Sequence, residues 1–182
     1  MEEKKVTGHK FGERGRGGQR RGRGRRDKPE REEREFDQKV IEIARVTRVM
    51  AGGKRMRFRA CMVLGDHKGR VGLGLGKGGD VSLAISKASA EAKRNMIQIP
   101  LWEDTLPHEI LIKYGAAKVL LKPAPRGTGI IAGGAVRSVL NLGGVPNVAA
   151  KMLGSRNKIN NARATILALK RLTIRQPRQP KK

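Results

Sequence analysis

Residues 53–79 read GKRMRFRACMVLGDHKGRVGLGLGKGG, and two strands with the turn between them can be taken from these letters. Met56, Phe58, Ala60, Met62 and Leu64 alternate with Arg55, Arg57 and Arg59. Successive side chains of a strand point to opposite faces, so this spacing predicts a core face and a basic face. Gly65, Asp66, His67, Lys68 and Gly69 have turn composition, and residues 70–76 resume the strand pattern. There Val71, Leu73 and Leu75 are predicted to point inward, and Gly72, Gly74 and Gly76 outward, where missing side chains leave the backbone open to a partner.

Upstream, residues 40–49 are rich in β-branched side chains and Ala51, Gly52 and Gly53 supply a turn, which makes three strands. Downstream, Asp80 is an N-cap candidate, and Val81, Ala84, Ile85, Ala88, Ala92 and Met96 form a helical stripe ending near Ile97. Lys87, Glu91 and Arg94 share the predicted exposed flank. Pro100 and residues 101–107 break the pattern and mark a domain boundary. Beyond it the expectations are strands at 108–113 and 116–122, a glycine-rich loop at 123–134, a helix at 135–142 and a strand near 148–153. A last helix is expected at about 161–172, with Ala162, Thr165, Ile166 and Leu169 inward and Arg163, Lys170 and Arg171 outward. The predicted class is α+β: a three-stranded sheet with one helix at 38–100, then a small α/β domain at 107–174.

The chain has 182 residues with 41 basic and 16 acidic side chains, a net charge of +25. Residues 1–37 hold 13 of the basic and 9 of the acidic ones, so the remainder carries 28 against 7, net +21. The folded part is therefore the basic part, and a polyanion is its expected partner. Residues 14–26 alternate arginine with glycine and lack apolar side chains, so 1–37 is predicted to be a disordered tail, and 175–182 is read as a basic tail. No stretch approaches the ~18 apolar residues of a membrane span, and the N-terminus has no signal-peptide pattern, so a cytoplasmic protein is expected. The single cysteine, Cys61, reads as a small apolar strand residue.

Gly74, Gly76 and Gly79 satisfy GxGxxG, but the strand before them bears glycine at alternate positions and no βαβ unit surrounds them, so a dinucleotide site is rejected. Lys77 is followed by glycine, which removes a Walker A loop. His9, His67 and His108 have no acidic or cysteine neighbour at metal-ligand spacing. Glu103, Asp104 and Glu109 read as a solvated linker and not as an acid-base pair. Neither a catalytic residue, a metal nor a cofactor is expected.

Basic residues on turns and exposed faces remain. Lys54 and Arg55, Lys68 and Arg70, and Lys77 with Gly78 at the helix entry are read as one phosphate-binding edge. Arg57, Arg59, Arg94, Arg126, Arg156, Lys158 and Arg163 complete the RNA-binding candidates. With three phenylalanines, one tyrosine and one tryptophan, a base-stacking platform is disfavoured and shape recognition of folded RNA is expected. A free RNA chaperone, a nucleotide-dependent enzyme and a DNA-compacting protein are the competing classes.

Gly53-Lys54, Phe58, Ala60, Val63-Leu64-Gly65-Asp66, Gly69-Arg70-Val71-Gly72 and Gly74, followed by Asp80-Val81 and Ala84-Ile85, resemble small-subunit ribosomal protein five of bacteria. Ala92-Lys93-Arg94-Asn95-Met96, Pro123-Ala124, residues 127–134 (GTGIIAGG), Gly154-Ser155 and Arg163-Ala164-Thr165 extend the resemblance, which covers about residues 40–172. It implies a first domain similar to a double-stranded RNA-binding domain without its first helix, and a second domain with a left-handed βαβ crossover. It also implies assembly on small-subunit ribosomal RNA, contact with ribosomal proteins four and eight, a place near the messenger entry channel and an influence on decoding fidelity. By matching position, residues 50–55 would reach RNA, and Gly127, Thr128, Gly129 and Arg137 would face protein four.

Overall fold

The computed structural model describes residues 36–174, so the arginine-glycine tract and the basic segment from 175 onward lie outside the described residues. Phe36 and Asp37, assigned above to the tail, belong to the folded body. Asp37 opens the first strand opposite Gly65, and the Phe36 ring lies 5.4 Å beneath the Arg70 guanidinium.

The first half is an antiparallel sheet of β1 (Asp37–Met50), β2 (Gly53–Gly65), β3 (Arg70–Gly78) and β4 (Met96–Gln98), in that order, with α1 (Val81–Arg94) between the last two. The second half comprises β5 (Ile110–Tyr114), β6 (Ala117–Pro123), β7 (Ile130–Ile131), α2 (Gly134–Leu142), β8 (Val148–Gly154) and α3 (Lys158–Arg171). Its sheet order is β5-β6-β8-β7; β7 and β8 are parallel and joined through α2. The α+β class follows from this arrangement.

Other boundaries differ from the sequence expectation, three of them for a clear physical reason. Met96 and Ile97 are not the end of the helix: Asn95 terminates α1, and the two residues pair with Gly72 and Val71 as β4. An apolar pair continues a helical stripe and a short strand equally well, so periodicity could not separate them. The two-residue β7 was concealed in the glycine-rich loop. α3 starts a turn earlier than expected because the Asn157 side chain accepts the N–H groups of Ile159 and Asn160, a cap that helical periodicity does not register.

The glycines of β3 also face the other way round. A Cβ on Gly72, Gly74 or Gly76 would overlap the carbonyl oxygens of Ala92, Ala88 and Ala84, the three buried alanines of α1. The partner that approaches this backbone is the chain's own helix. Ala60, Met62 and Leu64 of β2 share that face. The opposite face, carrying Val63 and Val71, joins the core of the second half with Val119, Leu121, Val136, Leu140 and Leu169, all fully buried. Burial of β2 on both sides explains why residues 60–65 are continuously buried, where one-sided alternation was expected. The segment 101–107, read as a linker, puts Leu106 into the same core, so the halves are continuous across the boundary.

Their junction is a backbone-to-backbone contact. A Cβ at Gly65 would overlap the Leu142 carbonyl, and one at Gly144 the His67 carbonyl. The His67 N–H donates to the Leu142 carbonyl at 3.1 Å, and its ring spans Asn141 O at 2.9 Å and the Asp37 carboxylate at 3.0 Å.

Asp66 fixes the turn that makes this contact. Its carboxylate accepts the N–H groups of Lys68 and Arg70 at 2.8 and 3.0 Å and the Arg70 side chain at 2.7 Å. Burial alone would raise its pKa, but the Arg70 guanidinium and the two N–H groups outweigh this and hold it at about 2. The group is therefore stabilising above its unfolded value near ~3.9, and the contribution fades as pH falls towards 2. Thermal melts should show Asp66→Asn less stable than the native chain at neutral pH, with the gap narrowing between about pH 4 and 2. A gap independent of pH would mean that the turn does not need the charge.

Candidate nucleic-acid interface

The β1–β2 hairpin runs well beyond the body, and residues 47–57 are exposed along both strands. Register fixes what its faces present. Arg48 lies opposite Arg55, Val46 opposite Arg57 and Ala44 opposite Arg59, while Arg59 is also opposite Lys77 of β3. All share the face that turns towards the second half farther down the sheet. They form a basic trough with a hollow of about 300 Å³ lined by Val46, Thr47, Arg48, Met50, Arg55, Arg57 and Lys77. Among the described residues no carboxylate lines it, so the charge is available to an outside anion.

Four of the expected residues, Arg55, Arg57, Arg59 and Lys77, are thus brought together. Arg48 was missed; once Ala51 and Gly52 are placed as the turn, hairpin register puts it opposite Arg55, and that signal was available in the sequence. Lys54 is at the same tip but on the other face, beside Met56.

The single phosphate-binding edge is corrected. Lys68 and Arg70 are at the opposite end of the sheet from the hairpin tip, because β2 and β3 run antiparallel from the 66–69 turn. Arg70 is further engaged by Asp66 at 2.7 Å. Gly78 is buried under the first turn of α1 and exposes no anion cradle. Arg94, exposed in the last turn of α1, belongs with the far end, since the helix packs antiparallel on β3. Glu91 is not on an open flank: its carboxylate accepts the Leu75 N–H at 3.2 Å.

In the second half the candidates are dispersed. Arg126 is exposed and reaches Asp104 at 3.6 Å. Arg156 and Lys158 are exposed at the start of α3. Arg163 lies over the Tyr114 ring at 5.9 Å and donates to its hydroxyl at 3.1 Å. Burial pushes the Cys61 thiol up to about 11, with the charges of Arg163 and Arg59 lowering it and those of Glu42 and Glu91 raising it.

Gly127 and Gly129, both with left-handed backbones, are ordered by Asn147, whose side-chain oxygen accepts both N–H groups at 3.1 Å. Thr105 extends the brace by donating to the Asn147 carbonyl at 2.8 Å and accepting the Ala124 N–H at 3.2 Å. Thr128 and Arg137 are exposed beside this loop and at the first turn of α2. Asn147 carried no signal in composition or spacing. Among the described residues no three side chains of metal-ligand type converge.

The facing assignment is testable by melting. Arg57→Ala should stay within about 0.5 kcal/mol of the native chain. Phe58 packs beside the α1 core but is only partly buried, so Phe58→Ala should cost about 1 to 3 kcal/mol, less than a fully buried ring would. Equal losses would invert the two faces.

Residues 36–100 match the family model for ribosomal protein S5, N-terminal domain, and residues 112–179 match that for ribosomal protein S5, C-terminal domain. Over 140 residues the chain is 52% identical to small ribosomal subunit protein uS5 of Thermus thermophilus, covering 77% of this chain and 86% of that protein. Over 156 residues it is 51% identical to small ribosomal subunit protein uS5c of Spinacia oleracea, covering 85% of this chain and half the length of that protein. With both halves matched in order and half the residues identical, the chain belongs to the ribosomal protein S5 family.

Proposed function

We propose that the chain is a structural constituent of the small ribosomal subunit that holds ribosomal RNA through the basic trough of its β1–β2 hairpin. The observation that carries this reading is the co-facial set Arg48, Arg55, Arg57, Arg59 and Lys77 on a hairpin exposed along residues 47–57. Such a set meets phosphates without reading bases, so RNA shape and not sequence governs placement. The work is positional. A stiff hairpin grips one RNA element while the Gly127–Gly129 loop, braced by Asn147, is available to a neighbouring protein.

Within this reading the RNA-binding half is residues 38–100, and Arg94, Arg126, Arg156, Lys158, Arg163, Lys68 and Arg70 are secondary contacts. Thr128 and Arg137 face a protein neighbour, for which ribosomal proteins four and eight are the family's candidates. A place near the messenger entry channel and a role in decoding fidelity follow from the same resemblance. The test is sedimentation. After a high-salt wash the native chain should remain with small subunits, and a variant with Arg48, Arg55, Arg57 and Lys77 changed to alanine should be depleted from them while melting normally. A native chain that washes off to the top of the gradient would favour a free RNA chaperone.

A further inference from the structure

β4 pairs with β3 only from Arg70 to Gly72, so among the described residues no strand lies beside the outer edge of β3 from Leu73 to Lys77. Beside that edge is a groove of about 260 Å³ between the last turns of α1 and one face of α3. Its floor is aliphatic: Leu73, Leu75, Ile159, Ile166 and Leu167. Its α3 wall carries Arg163 and Lys170, and its α1 wall carries Glu91. None of these serves the trough at the hairpin tip.

The edge defines what fits. The Leu75 N–H points away from β2, as its bond to the Glu91 carboxylate at 3.2 Å establishes. Alternation along a strand gives Leu73 and Lys77 the same outward direction. Glu91 thus occupies the position that a carbonyl oxygen of an added strand would take. We propose that this groove docks an extended protein segment by strand addition to β3, with an aliphatic side chain seated on Leu73, Leu75, Ile166 and Leu167 and carboxylates meeting Arg163 and Lys170.

RNA is the poorer occupant for two reasons on the groove's own walls. The floor offers one aromatic ring, Tyr114, and Arg163 already lies over it. The strand edge presents backbone N–H and C=O groups along one line, with Glu91 standing in at Leu75; another backbone supplies both partners in register, whereas a phosphate chain supplies acceptors alone. This inference does not depend on the role of the trough; it assigns Arg163 to this groove and not to RNA.

The probe is a peptide of about eight residues alternating valine with glutamate, titrated into the full chain at about 200 mM salt and followed by amide and methyl NMR. A peptide of the same composition with its valines and glutamates in separate blocks, and octauridylate, are the comparisons. Expected are shifts confined to Leu73, Leu75, Lys77, Ile166 and Leu167, slowed hydrogen exchange at Leu73 and Lys77, and binding at least tenfold weaker for the block peptide. Leu167→Glu, on the partly exposed groove face of α3, should weaken binding at least tenfold while the melting temperature holds. If Leu167→Glu unfolds the chain, Lys170→Glu on the exposed rim replaces it, with the same loss expected. Shifts that map to the hairpin trough, displacement of the peptide by octauridylate, or the absence of saturation up to millimolar peptide would each overturn the proposal.

Discussion

Raising salt from about 50 to about 200 mM should weaken binding to ribosomal RNA by about 10³ to 10⁵, if six to ten phosphates are neutralised. The charge is there to do it: the chain beyond residue 37 carries net +21, and the hollow at the hairpin tip is lined by four cations, with no carboxylate among its described residues. Each phosphate contact releases condensed counterions, so the logarithm of affinity falls linearly with the logarithm of salt, by about 0.7 to 0.9 per contact. Changing Arg57 and Lys77 together to alanine should therefore reduce that slope by about 1.4 to 1.8 and weaken binding evenly across RNA sequences. Filter binding at several salt concentrations measures both. A nearly flat titration would place affinity in groups other than these cations, and an unchanged slope in the double variant would move the interface off the trough.

The sequence reveals different parts of this molecule to different degrees, and the reasons are physical. Alternation in residues 53–64 located the basic face correctly because Arg55, Arg57 and Arg59 are on the stretch that projects beyond the body, where one side of the sheet is open to solvent. The same rule failed at Cys61 and Val63, because farther along the strand the second half covers that face and both sides become core. A strand's own pattern cannot announce what will later pack on it. The continuity of the halves was hidden for a related reason: the segment between Pro100 and Pro107 has loop composition, yet its Leu106 is 1% exposed. Bringing Lys68 and Arg70 together with Lys54 was an error of direction, since nearness to a turn does not say which end of a hairpin the turn occupies. Asn147 and the Asn157 cap were unreadable because a single amide gains its role only from the backbone groups that folding brings to it. The glycines of β3 were noticed for the right physical reason and assigned the wrong neighbour.

That neighbour makes the largest effect expected of a single methyl group. Gly74→Ala would direct a Cβ into the Ala88 carbonyl, in the middle of α1, and close to the Ala92 amide in its last turn. Overpacked side chains escape by changing rotamer, at about 1 to 3 kcal/mol, but backbone atoms of a helix held at both ends have no rotamer to change. The helix must lift from the sheet, and Ala84, Ala88 and Ala92 would lose contact with Ala60, Met62 and Leu64 together. A loss of about 3 kcal/mol or more is expected, enough to consume much of the ~5 to 15 kcal/mol by which folded proteins of this size are stable. Gly79→Ala is the matched control, since a Cβ there meets nothing within 4 Å and the residue is exposed. It should change stability by no more than about 0.5 kcal/mol. Denaturant unfolding of the two variants decides the matter. Near-equal midpoints would mean that α1 can yield at no cost, and the glycine row of β3 would then have to be explained by an outside partner after all.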